Sequence, residues 1–97
     1  MVTGKGSAPN DSEIEQEVRA TVREWVEGMI ERQISQTGNR PFVLDVGFVV
    51  GGEIARGRTG VAIKVVEELL AEYRQAGWHT FSQPGTGFDL GYFLHFF

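Results

Sequence analysis

The stretch that most limits how this chain can fold is Phe88-Asp-Leu-Gly-Tyr-Phe-Leu-His-Phe-Phe97. It alternates like a β-strand, with Phe88, Leu90, Tyr92, Leu94 and Phe96 on one face. The other face carries Asp89, Gly91, Phe93, His95 and Phe97, so bulky apolar groups point both ways. A strand of that kind belongs in the middle of a sheet, not at its edge. The rest of the chain has to supply strands on both sides of it and a layer over at least one face.

Two helices qualify as that layer. Ser12 and Glu15 have capping-box spacing, and apolar residues follow at Ile14, Val18, Val22, Trp25, Val26, Met29, Ile30 and Ile34. At 100° per residue this stripe covers about half the circumference, enough to meet both a sheet and another helix. Glu15–Arg19 and Arg23–Glu27 are i,i+4 pairs on the wet side. Gly28 is either a site of close approach or a tolerated weak point. Gly38-Asn-Arg-Pro41 stops the helix. The second stripe is Val61, Ala62, Val65, Val66, Leu69, Leu70, Tyr73 and Ala76, with Thr59 as a cap and Arg74 and Gly77 as stop signals. Lys64, Glu67, Glu68, Glu72 and Gln75 lie on its wet face.

Phe42–Val50 alternates as the first strand, with Phe42, Leu44, Val46, Phe48 and Val50 on one side and Val43, Asp45, Gly47 and Val49 on the other. Trp78–Gln83 reads as a short strand, Pro84–Gly87 as a turn, and Phe88–Phe97 as the closing strand. The expected architecture is α+β with the order α-β-α-β-β. Its sheet is three-stranded and mainly antiparallel, with the C-terminal strand central and both helices on one face. Residues 1–11 form a flexible tail and residues 12–97 a single domain.

With the even-numbered residues of the closing strand turned to the helices, Phe93, His95 and Phe97 lie on an uncovered face together with Val43 and Val49. That makes an apolar patch of the size that marks interaction sites. Hairpin register leaves one choice open. An even turn puts Trp78 on the uncovered face and His79 and Phe81 on the core face; an odd turn reverses this. The candidate partner-binding residues are therefore Phe93, Phe97, His95, Trp78 and Phe81.

Charge and composition narrow the functional classes. The formal net charge is −4 and there are no cysteines. The first excludes a global basic field for nucleic acid, and the second excludes disulfides, thiolate metal sites and a cysteine nucleophile. No run of apolar residues reaches the ~20 needed to span a bilayer, and the start of the sequence lacks the apolar core of a signal peptide. A cytoplasmic protein is expected. No Walker A loop, GxGxxG or GxSxG is present, and His79 and His95 lack a third ligand at a defined spacing. No catalytic residue, metal or cofactor is assigned. Arg56, Arg58 and Thr59, in a glycine-rich loop before a helix, form the candidate anion site.

In size, acidity and lack of motif, the chain is similar in type to small proteins encoded by phages and mobile elements. These include inhibitors that dock on host nucleases or polymerases, anti-CRISPR proteins among them. No residue carries that likeness. The expected function is a non-enzymatic protein-interaction module, binding a macromolecular partner or a second copy through the aromatic sheet face. The alternative is a small nucleic-acid or phosphate-ligand binder using the Arg56/Arg58 loop.

Overall fold

The computed structural model describes residues 11–85 and 91–97. Helix α1 spans Asp11–Thr37, strand β1 Phe42–Asp45, a one-turn helix α2 Gly47–Val50, helix α3 Thr59–Gln75, β2 Thr80–Pro84 and β3 Tyr92–Phe96; a 3-10 turn occupies Glu53–Ala55. The sheet order is β1-β3-β2, antiparallel throughout. The last strand is central, as its two apolar faces require. Of the tail expected at residues 1–11, only Asp11 is described, and it opens α1.

Both long helices cover one face. Helix α1 lies against β1 and α3, and α3 lies against β2. Val18, Val22, Val26 and Ile30 of α1 meet Ala62, Val65, Val66, Leu69 and Leu70 of α3 over Phe42, Leu94 and Phe96. Fully burying one such side chain contributes about 1.5–3 kcal/mol, so this layer dominates stability. Charged bonds run along the α1–α3 seam. Arg19 Nη2 donates to both carboxylate oxygens of Glu68 at 2.7 and 2.9 Å, Arg23 is bidentate to Glu72 at 2.5 and 2.8 Å, and the Tyr73 hydroxyl donates to Glu31 at 2.9 Å. Arg19 thus spends its guanidinium on the neighbouring helix, not on Glu15 as the i,i+4 spacing suggested. The hydrogen bond from Arg23 holds the Glu72 carboxyl below its usual range.

Both helix stops behave as expected. Gly38 has φ +67° and its N–H bonds Ile34 O at 2.7 Å. Gly77 has φ +106° and closes α3 on Arg74 O, while Trp78 N–H returns to Tyr73 O at 3.0 Å. An αL glycine past the last turn satisfies carbonyls that the helix leaves free. A methyl group added at Gly28 would meet no atom within 4 Å, so no close neighbour explains that glycine.

The first strand is shorter than the alternation implied. It ends at Asp45, not Val50, because the Asp45 side chain captures the backbone beyond it. Its Oδ1 accepts Gly47 N–H at 2.9 Å and Tyr92 N–H at 3.1 Å. An aspartate that bonds the N–H two residues on makes an Asx turn, which diverts a strand. The chain then coils once as α2, and the apolar period changes from two to three and four. Val46, Val49 and Val50 are buried and Phe48 is turned out. Val49, expected on the open face, is therefore core, and Phe48, expected in the core, is 54% exposed.

The hairpin strand starts at Thr80, not Trp78, and includes Pro84. The closing strand is described from Gly91 onward. Phe88, Asp89, Leu90 and the rest of the expected turn beyond Gly85 lie outside the described residues. Thr80 pairs with Phe96 and Ser82 with Leu94, which is the odd-turn register. Thr80 is buried and Phe81 exposed. Trp78 consequently faces the helices, edge-on to Phe42 and Phe96 at 5.8 and 5.9 Å.

Candidate interaction face

The sheet face opposite the helices is built from alternate residues of all three strands. The central row is Phe93, His95 and Phe97. Val43 pairs with His95 and Asp45 with Phe93 on the β1 side; Phe81 pairs with His95 and Gln83 with Phe93 on the β2 side. His79 continues the row, exchanging backbone bonds with Phe97 at 2.8 and 2.9 Å.

The rings on this face are ordered against one another. Phe81 stacks on His95 with centroids 4.2 Å apart and planes 5° from parallel. His79 stacks on Phe97 at 5.4 Å, and Phe81 meets Phe97 edge-on at 6.1 Å. The far side of the His95 ring is fixed by Gln83, whose Oε1 lies 3.0 Å from Nε2. Cross-strand aromatic pairs of this kind each contribute roughly 0.2–1 kcal/mol to the sheet. They also pre-order the face, so that little side-chain freedom remains to be lost when something covers it. Even so, Val43, Phe81 and Phe97 stay 52%, 46% and 54% exposed. Phe93 and His95 are half-buried between neighbouring strands.

Four of the five expected partner-binding residues thus share one surface: Phe81, Phe93, His95 and Phe97. Trp78 does not join them, because the odd register sends it to the core side. His79 joins them, as the odd-turn alternative requires, and Gln83, left unassigned by the sequence, follows once the register is known.

The other face of the same strands is closed by a carboxylate. Glu67 of α3 accepts a short hydrogen bond from Ser82 and one from the Tyr92 hydroxyl at 2.8 Å. Glu67 is not a free solubilising charge, as expected from its helix face, but a clasp between α3 and the sheet. Burial, with this carboxylate alongside, pushes the Tyr92 hydroxyl above its ordinary pKa. Arg74 closes the β2 edge by donating to Thr80 O at 3.1 Å and to its hydroxyl at 3.2 Å.

The two arginines expected to form an anion site in the glycine-rich loop are each paired with a carboxylate of α1. Arg56 is engaged by Glu17 at 2.6 Å and Arg58 by Asp11 at 3.0 Å, both on α1. Arg58, not Thr59, occupies the N-cap position of α3, and no side chain caps that helix. Thr59 lines an open cleft of about 660 Å³ with Asp45, Gly47, Phe48, Gly51 and Tyr92, and neither arginine takes part in it. Among the described residues no group of three or more His, Asp or Glu side chains is placed to hold a metal ion. No described helix is long and apolar enough to cross a membrane.

A second exposed aromatic pair escaped the sequence reading. Trp25, expected in the core stripe of α1, is 48% exposed and meets Phe48 edge-on at 6.4 Å. The signal was present in the 3–4 spacing of Val46, Val49 and Val50, which predicts a helical turn with Phe48 outside.

No family model matches the chain, and neither a curated protein nor a solved structure matches it.

Proposed function

We propose that this protein is a non-enzymatic interaction module that binds a second copy of itself through the open aromatic face. The observation that carries the reading is the ordered ring array of Phe81, His95, His79 and Phe97 on a sheet face that no described element covers. Phe81 and Phe97 each retain about half of their surface. Covering roughly 100 Å² of each is worth about 2.5 kcal/mol per ring at the usual area coefficient.

Charge supports a second copy as the occupant. Asp45 is the one carboxylate among the described strand positions of this face, which carry no lysine or arginine, in a chain of net charge −4. Two copies can meet here without setting like charges against each other, while their acidic helices remain in water. The same lack of lysine and arginine argues against single-stranded nucleic acid, which needs a cationic frame around its stacking rings. Three strands about 4.8 Å apart and five residues long span roughly 15 by 17 Å, well below the ~800 Å² per partner of a standard interface. The association is therefore expected to be weak and reversible. An inhibitor of a host enzyme, similar in type to phage-encoded proteins, would use the same face on a different protein.

Sedimentation velocity across the micromolar range tests this. Phe93→Lys should lower the associated mass while leaving the far-UV circular dichroism unchanged. An unchanged mass distribution with the fold intact would refute the reading.

A further inference from the structure

The two edges of the sheet are not equivalent. Hydrogen-bond phase along β3 determines which backbone groups point outward. Val46 N–H bonds Tyr92 O at 2.8 Å, so in the β1–β3 ladder Leu44 and Phe42 also point inward, and Val43 and Asp45 point out. On β2, His79 bonds Phe97, so Phe81 and Gln83 point inward and Thr80, Ser82 and Pro84 point out. That second edge is blunted: Pro84 has no N–H to offer, and the Thr80 carbonyl is taken by Arg74. On the β1 edge Pro41 stands just before the strand, but within Phe42–Asp45 there is no proline and no side chain that takes an outward backbone group. The outward N–H and C=O groups of Val43 and Asp45 have no hydrogen-bond partner among the described residues.

The flank above that free edge is apolar. Arg23 of α1 reaches Glu72 of α3, and Trp25 lies two residues, about 200°, further round the helix. Trp25 therefore leaves α1 on the side away from α3. Helix α1 lies over β1, and Trp25 rests on Phe48, close after the end of β1. One side of the molecule thus presents an unpaired strand edge, the 48%-exposed Trp25 and the 54%-exposed Phe48.

We propose that β1 pairs antiparallel with β1 of a second copy, joining two three-stranded sheets into one. This goes beyond the face contact proposed above and uses a different symmetry axis, perpendicular to the sheet. The unpaired backbone groups set the chemistry of the occupant, which must be an extended strand. A second copy is the strand that fits best. With Leu44 opposite its own mate, Val43 sits beside Asp45 of the other copy, and each outward N–H finds an outward carbonyl. No like charges fall directly opposite one another. The contact is isologous, so each copy contributes both its strand and its Trp25–Phe48 flank, and every feature counts twice. An unrelated peptide would gain the short ladder alone, which has to offset the freedom lost on binding. Joined in this way, the two aromatic faces become continuous and twice as wide.

The test is made in the Phe93→Lys background, where the face contact is disabled. That protein should remain a reversible dimer by sedimentation velocity. Amide hydrogen exchange at Val43 and Asp45 should slow at least tenfold from low to high protein concentration. Adding Trp25→Glu should weaken this dimer at least tenfold. Val43→Pro, which removes an outward N–H and no ladder bond within the monomer, should do the same with the circular dichroism retained. A Phe93→Lys protein that is monomeric at every concentration, or exchange at Val43 and Asp45 that is independent of concentration, would overturn the edge pairing while leaving the face reading standing. Failure of Phe93→Lys to change the wild-type mass would overturn the face reading and leave the edge pairing standing.

Discussion

The same substitution at two glycines should have opposite effects, and the structure gives the size of each. A methyl group at Gly52 would lie 2.2 Å from the Phe48 carbonyl oxygen and 3.3 Å from its carbon. The obstacle is backbone, so no side chain can swing aside. Relief requires displacing the turn that follows α2, where Gly51 N–H bonds Gly47 O at 2.9 Å. Overpacking of this kind costs about 1–3 kcal/mol or more. For a domain of this length each kcal/mol is worth roughly 4–8 °C in Tm, so Gly52→Ala should lower Tm by about 5–20 °C. At Gly28 an added methyl meets nothing within 4 Å, in the middle of a helix. Gly28→Ala there should stabilise by about 1 kcal/mol, because alanine restricts the unfolded chain and favours the helix. Calorimetry or thermal circular dichroism at one fixed protein concentration measures both. Equal signs for the two variants, or a neutral Gly52→Ala, would show that the turn after α2 is not packed as described. Because that turn aims Phe48 at Trp25, Gly52→Ala should also weaken the edge-paired dimer in the Phe93→Lys background.

Two further outcomes follow from the sheet. Leu94→Ala, at a fully buried site on the central strand, should cost about 2–5 kcal/mol in urea denaturation; a cost below about 1 kcal/mol would mean that the helices do not pack on this face. Burial, and hydrogen bonds to Glu31 and Glu67 respectively, raise the Tyr73 and Tyr92 hydroxyls above the ordinary value of 10.0. A raised pKa means that stability is fully present below about pH 10 and is lost as the pH climbs toward the folded-state values, so the urea midpoint should fall above about pH 10. In Tyr92→Phe that alkaline fall should be shallower, and an unchanged slope would contradict the burial of the hydroxyl.

What the sequence made legible depended on whether a local pattern had one competitor or several. The central place of the last strand followed from apolar groups on both its faces, and nothing in the chain competes with that. Helix stops at Gly38 and Gly77 were equally readable, since an αL glycine serves one geometry there. Trp78 and Phe81 were not separable, because their faces depend on the parity of a turn that leaves no mark on either strand. Residues 46–50 are ambiguous for a different reason. Val46, Phe48 and Val50 satisfy a period of two, and Val46, Val49 and Val50 satisfy the helical period equally well. The decision lies in Asp45, whose side chain can reach the Gly47 N–H or stay in a strand. That single hydrogen bond moves Val49 into the core and Phe48 onto Trp25. It also ends β1 after four residues, which sets the exposed Trp25–Phe48 pair close after the free edge. If the edge pairing holds, Asp45 both terminates β1 within each copy and offers its outward backbone groups to the next, and its side chain and main chain serve separate contacts.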